Sequence, residues 1–111
     1  MRASTERYAQ LRAEAQRIAS QLAALGAVRV VLFGSLARGE VSLGSDIDLL
    51  AIFDAPRSPR ELTRWVYQQI DAREAVDLIA HSRQPFSSHS SRPFWRHALR
   101  NSEVLYERPE A

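Results

Sequence analysis

Three short apolar runs do most to limit what this chain can become. Val28-Arg29-Val30-Val31-Leu32-Phe33, Asp46-Ile47-Asp48-Leu49-Leu50-Ala51-Ile52-Phe53 and Ala75-Val76-Asp77-Leu78-Ile79-Ala80 are brief, apolar and rich in branched side chains. Runs of that length suit buried strands better than helices. Breaks follow each: Gly34-Ser35, Asp54-Ala55-Pro56, and a polar, serine-rich stretch from Ser82 to Ser91 that reads as the longest loop.

Between and around the strands the period changes. Over 4–25, Tyr8, Leu11, Ala15, Ile18, Leu22 and Leu25 recur at steps of three and four, with Gly26 where a helix C-terminus belongs. Arg2, Arg7, Arg12 and Arg17 fall every five residues, a step of roughly 140° that spreads them around the helix as solvated charge. A short turn is expected near Leu36–Arg38. Ser58-Pro59-Arg60-Glu61 is a capping box with proline at the first helical position, and Leu62, Trp65, Val66, Gln69 and Ile70 carry that helix on. Pro93 opens a last helix through Phe94, Trp95, Ala98 and Leu99, and Val104-Leu105-Tyr106 reads as a terminal strand or an extended tail. Both tryptophans lie on apolar helical faces and are expected in the core. The sum is a small α/β (α+β) fold, a β-sheet with helices packed on it, in one domain over 1–111.

Composition removes several classes of chemistry. There is no cysteine, so disulfides, thiolate metal sites and cysteine nucleophiles are excluded, and a reducing cytoplasm suits the chain. No stretch reaches the ~18 apolar residues of a membrane span. A net charge of +2 is too small to imply strong non-specific nucleic-acid binding. His81, His89 and His97 have no ligand-like spacing and are expected in surface or capping roles.

The acids are more informative. Residues two apart on a strand share a side, so Asp46 and Asp48 project together and Ile47 and Leu49 face the other way. Two such carboxylates repel unless a cation lies between them, and hard oxygen donors without His or Cys favour Mg²⁺ or Mn²⁺ over zinc. Asp77 is a single charge within an apolar strand, where burial is costly unless it is paired or metal-bound. Placed beside the second strand it would join the pair, and three carboxylates can hold two metals about 3.5–4 Å apart for in-line phosphoryl chemistry. Gly34 allows a sharp turn that brings backbone amides close to an anion, Ser35 adds a hydroxyl, and Arg38 adds charge-assisted contacts. Ser45 is grouped with these phosphate-side candidates. Each feature alone is an ordinary turn or a wet strand edge; together they describe a site for a polyphosphate and two cations.

Gly34-Ser35, ten intervening residues and Asp46-x-Asp48 resemble the signature of the polymerase β-like nucleotidyltransferase superfamily. The string GSLARGEVSLGSDIDLL over 34–50 is similar to that of the minimal nucleotidyltransferases, short proteins often paired with a HEPN-domain ribonuclease toxin. The resemblance implies the polymerase β-like fold. It also implies that Gly34 and Ser35 cradle the β- and γ-phosphates, that Asp46 and Asp48 bind two Mg²⁺ ions, and that Asp77 completes the metal site and helps activate the attacking hydroxyl. All three acids are retained, as an active copy requires.

The function expected is Mg²⁺-dependent transfer of AMP from ATP to a hydroxyl, with pyrophosphate leaving. The resemblance names the acceptor as a tyrosine of a HEPN toxin, making the chain an antitoxin. The small size also points to a partner that supplies the acceptor, and away from antibiotic-modifying or tRNA-end-adding enzymes. A binding-only antitoxin is the main alternative. An RNA-binding module is disfavoured by the absence of an arginine stripe, and a homo-oligomer is compatible with everything above.

Overall fold

The structure, a computed structural model, describes residues 2–41, 47–83 and 92–109. The chain runs α1 (Arg2–Ala24), β1 (Ala27–Phe33), α2 (Gly34–Ala37), β2 (Ile47–Phe53), α3 (Pro59–Gln69), β3 (Val76–Ser82), α4 (Pro93–Ala98) and β4 (Glu103–Glu107). The strands form one mixed sheet in the order β3-β2-β1-β4. β1 pairs antiparallel with β2 and β4, while β2 and β3 are parallel. A parallel pair needs a crossover, and α3 provides it. The tail from Val104 is thus a strand.

β2 is central, which explains its nearly unbroken apolar sequence: a strand covered on both faces cannot alternate with polar residues. One face packs against α1 and α3 through Leu11, Ile18 and Leu22, Leu62 and Val66, and the strand residues Val30, Leu32, Leu49 and Leu78. The opposite face holds a smaller cluster of Val28, Val31, Phe33, Leu50, Ile52 and Trp95, the last from α4. Trp95 meets Phe33 edge-on at 5.9 Å and His81 at 5.6 Å between ring centroids. Trp65 packs edge-on to Phe53 on the other side, at 5.9 Å.

Local chemistry sets the element ends. Gly26 ends α1 at φ +107°, a conformation that costs glycine little. Ser58 caps α3, its Oγ accepting from the Glu61 amide at 3.2 Å, with Pro59 at the first helical position. The Glu61 carboxylate accepts from the Ser58 hydroxyl at 3.1 Å.

Two expectations need correction. The arginines of α1 that the structure describes are pinned rather than simply solvated. Arg7 pairs with Glu74 at 2.7 Å, Arg12 grips Glu103 through two contacts of 2.6 Å, and Arg17 pairs with Glu14 at 2.7 and 2.9 Å. The spread around the helix lets each reach a different element. Strand β3 also runs on through His81 and Ser82, both buried, so His81 is a core residue against Trp95 rather than a surface one. His89 and the serines at 87, 88, 90 and 91 lie outside the described residues. Among the described residues no helix is long and apolar enough to cross a membrane.

Candidate active site

The site is built where β1 ends and where β2 and β3 begin. Within β2, Asp48 is the position that is not buried. It shares its face with Leu50 and Ile52 by strand alternation, while Ile47 and Leu49 point into the α1/α3 core. For Asp48 against Ile47 and Leu49 the sequence-derived orientation therefore holds. On β3 the register sets Asp77 directly beside Asp48, on a neighbouring strand about 4.8 Å away. On the other side Phe33 is the register partner of Asp48, so Asp48 sits between the end of β1 and Asp77.

Asp77 is exposed. The premise that burial forces it to find a partner does not hold: it lies near the open start of β3, on the face that α4 covers. Its position next to Asp48, not a desolvation cost, links it to the site. Among the described residues it has no ion-pair partner.

Gly34 follows Phe33 with φ +75°. A β-carbon built there would lie 2.2 Å from Asp48 Oδ2 and 3.0 Å from its Cγ. Only glycine leaves that space open, so the backbone turn and the carboxylate are in direct apposition. The turn is closed by Arg38 N–H donating to the Ser35 carbonyl at 3.1 Å and Glu40 N–H donating to the same oxygen at 2.9 Å. Ser35 is half-buried at this turn. Arg38 is exposed, and its Nε donates to Glu40 Oε2 at 2.9 Å, a partner the sequence reading did not foresee. Asp46 and Ser45 lie outside the described residues.

Asp48 and Asp77 are carboxylates at adjacent register positions, a donor type suited to a hard divalent cation. Among the described residues no cluster of three or more His, Cys, Asp or Glu is placed to hold one. The third donor of the sequence reading is Asp46.

The structure also brings to Gly34 residues that sequence reasoning did not select. A cavity of about 210 Å³ is lined by Gly34, Arg38, His97, Ala98, Arg100 and Asn101. The sequence suggests only a surface or capping role for His97, and nothing local in 97–101 signals proximity to a turn sixty residues earlier. A larger cavity, about 560 Å³, lies at the far end of the sheet between Asp54–Pro59 and Ser82-Arg83, away from both acids.

β3 is a sheet edge, and α3 covers its outer polar groups. Leu78 N–H donates to Tyr67 Oη at 2.6 Å and Tyr67 Oη–H donates to the Val76 carbonyl at 3.1 Å. Ala80 N–H donates to Thr63 Oγ1 at 2.9 Å. The Tyr67 contacts flank Asp77 on either side and so fix its position, a role with no sequence signature.

A crystal structure of a candidate nucleotidyltransferase from Sulfolobus solfataricus superposes with a TM-score of 0.68 at 21% identity, covering 95% of this chain and 87% of that one. Agreement at that identity shows a shared fold. Among curated proteins none matches the chain significantly. The nucleotidyltransferase domain family matches residues 12–104, from the middle of α1 through the first residues of β4. That span includes the Gly34 turn and all three acids, and the chain belongs to the nucleotidyltransferase domain family.

Proposed function

We propose that this chain transfers AMP from ATP to a hydroxyl of a partner protein, and that the acceptor is a tyrosine of a HEPN-domain ribonuclease toxin which the transfer silences. The observation that carries the chemistry is the pairing of Asp48 with Asp77 in register, against a glycine turn whose missing side chain leaves the room that the Asp48 carboxylate occupies.

Asp48 and Asp77, with Asp46 as third donor, would hold two Mg²⁺ ions. Such ions, when bound, align nucleophile and leaving group and offset developing charge on the phosphate. The remaining work falls to the chain's own groups. The Gly34 turn lets backbone approach the β- and γ-phosphates, with the hydroxyls of Ser35 and Ser45 and the Arg38 guanidinium as further donors. Asp77, exposed at the open end of the sheet, is accessible to an incoming hydroxyl, and its carboxylate can accept that proton. The acceptor oxygen then bonds the α-phosphorus, the bond from that phosphorus to the β-phosphate oxygen breaks, and pyrophosphate leaves. The exposure of Asp77 supports an acceptor delivered from outside, since no described element encloses it.

The test is incorporation of label from α-labelled ATP by the chain together with the protein encoded beside it. Labelling of the partner is expected with Mg²⁺ and lost with chelator. Asp48→Asn should lower it about a hundredfold or more, matching the several kcal/mol of charge stabilisation at stake. If Asp48→Asn fully neutralises the partner and neither protein transfers label, the transfer reading fails and a binding-only antitoxin replaces it.

A further inference from the structure

We propose that the end of α4 supplies an anion subsite for the leaving diphosphate, with Arg100 and His97 as its principal side chains and Asn101 and Arg38 completing it. This rests on the nucleotidyl-transfer reading above and adds residues to it from the opposite end of the chain.

The cavity beside Gly34 is basic on its described walls. Among the described residues its polar lining consists of two guanidiniums, one imidazole and one carboxamide, with no carboxylate. Two arginines on the wall of one small cavity repel each other unless an anion lies between them, the converse of the paired acids next door. Arg38 is offset by Glu40 at 2.9 Å, but Arg100 has no salt-bridge partner among the described residues. A guanidinium with its donors free is suited to bidentate contact with phosphate oxygens. Asn101 offers a neutral donor that fits a phosphate oxygen as well.

Size narrows the ligand. A volume of about 210 Å³ falls below the ~300 Å³ at which pockets begin to enclose a nucleoside-sized molecule. It holds about seven waters at ~30 Å³ each, room for a diphosphate group. Position then assigns which phosphates. Gly34 lines this cavity and also abuts Asp48 Oδ2, so the cavity begins one residue away from the acid pair. With the α-phosphate at Asp48 and Asp77, the β- and γ-phosphates extend across Gly34 into the basic pocket. As the bond between the α-phosphorus and the bridging oxygen breaks, charge grows on the diphosphate, and Arg100 and His97 face that charge.

A competing reading is that His97 only complements the carboxyl end of α4, where cations are favoured. Arg100 and Asn101 lie beyond that helix, and binding measurements separate the two readings.

The experiment is titration calorimetry of inorganic pyrophosphate into the purified chain without divalent cation, comparing wild type with Arg100→Gln and His97→Gln. Arg64→Gln serves as control, since it removes one charge on the exposed face of α3. Wild type and the control should bind pyrophosphate in saturable fashion, and Arg100→Gln should weaken binding at least tenfold with its melting temperature unchanged. In the transfer assay the same variant should raise the pyrophosphate inhibition constant by a similar factor. Pyrophosphate affinity equal in wild type and Arg100→Gln, or equally weakened by Arg64→Gln, overturns the subsite. Selective binding in a chain that labels no acceptor leaves the subsite standing and counts against the transfer reading instead.

Discussion

Replacing Gly34 by alanine would put a methyl group 2.2 Å from Asp48 Oδ2 on a backbone held at φ +75°. The backbone strain costs about 1–3 kcal/mol, and the carboxylate must move out of the way. Gly26 is the natural comparison, since it also has positive φ but nothing within 4 Å of a built β-carbon. Gly34→Ala should therefore destabilise at least as much as Gly26→Ala in denaturant melts, and Gly34→Ala alone should remove transfer activity. Asp77 gives the reverse separation. Because it is exposed and unpaired among the described residues, Asp77→Asn should change stability by no more than about 0.5 kcal/mol. Label incorporation should still fall sharply. A large stability loss with activity retained would return Asp77 to a structural role.

Elements position these residues through contacts that no single segment contains. The edge of β3 is held by Tyr67 and Thr63 of α3, and the Tyr67 hydroxyl bonds the groups on either side of Asp77. Tyr67→Phe should cost about 1–3 kcal/mol by leaving an amide and a carbonyl of β3 without partners. Amide exchange at Leu78 should rise with it. On the opposite face α4 is seated by Trp95, whose ring contacts Phe33, His81 and Phe94. Trp95→Ala should cost about 3–5 kcal/mol and loosen the element that carries His97, whereas Trp95→Phe keeps most of the packing. The capping box of α3 and the helical period of α1 were legible in the sequence because both depend on residues within a few positions of each other. The seating of α4 was not, since Trp95 finds its partners on strands distant in the chain.

At the scale of the whole molecule, α1 is tied to the rest by charge. Glu14 is buried at 7% exposure, yet it accepts hydrogen bonds from the Arg17 guanidinium and from the Arg73 amide. The Arg17 contact, helped by the Arg73 amide, holds its carboxyl below the usual glutamate range despite the opposing effect of burial. Arg12 does the same to Glu103 on β4. A carboxyl whose folded pKa lies below its unfolded value stabilises the fold in full above that unfolded value, about 4.3. The contribution is lost as pH falls through the lower, folded pKa. Stability from chemical denaturation should thus show no pH dependence from these groups between about pH 7 and 5, where their contribution is full, then fall as the medium becomes more acid. Glu14→Gln should reduce that acid slope and cost about 1–3 kcal/mol at neutral pH, because Arg17 and the Arg73 amide lose a charged acceptor.

By itself the sequence determined the first three strands, the helices between them, the spacing from Gly34-Ser35 to the acids, and the side of β2 that Asp48 faces. These follow from local rules: period, β-branching, caps, and the two-residue alternation of a strand. Tertiary structure decided which strands are neighbours, and therefore that Asp77 stands beside Asp48 in parallel register. It also decided that Asp77 is exposed, that His81 is buried, and that His97, Arg100 and Asn101 close a cavity on Gly34. The physical reason is the same in each case. Burial and proximity across the sheet depend on where distant segments pack, and charge or residue type at one position carries no record of what will be brought against it.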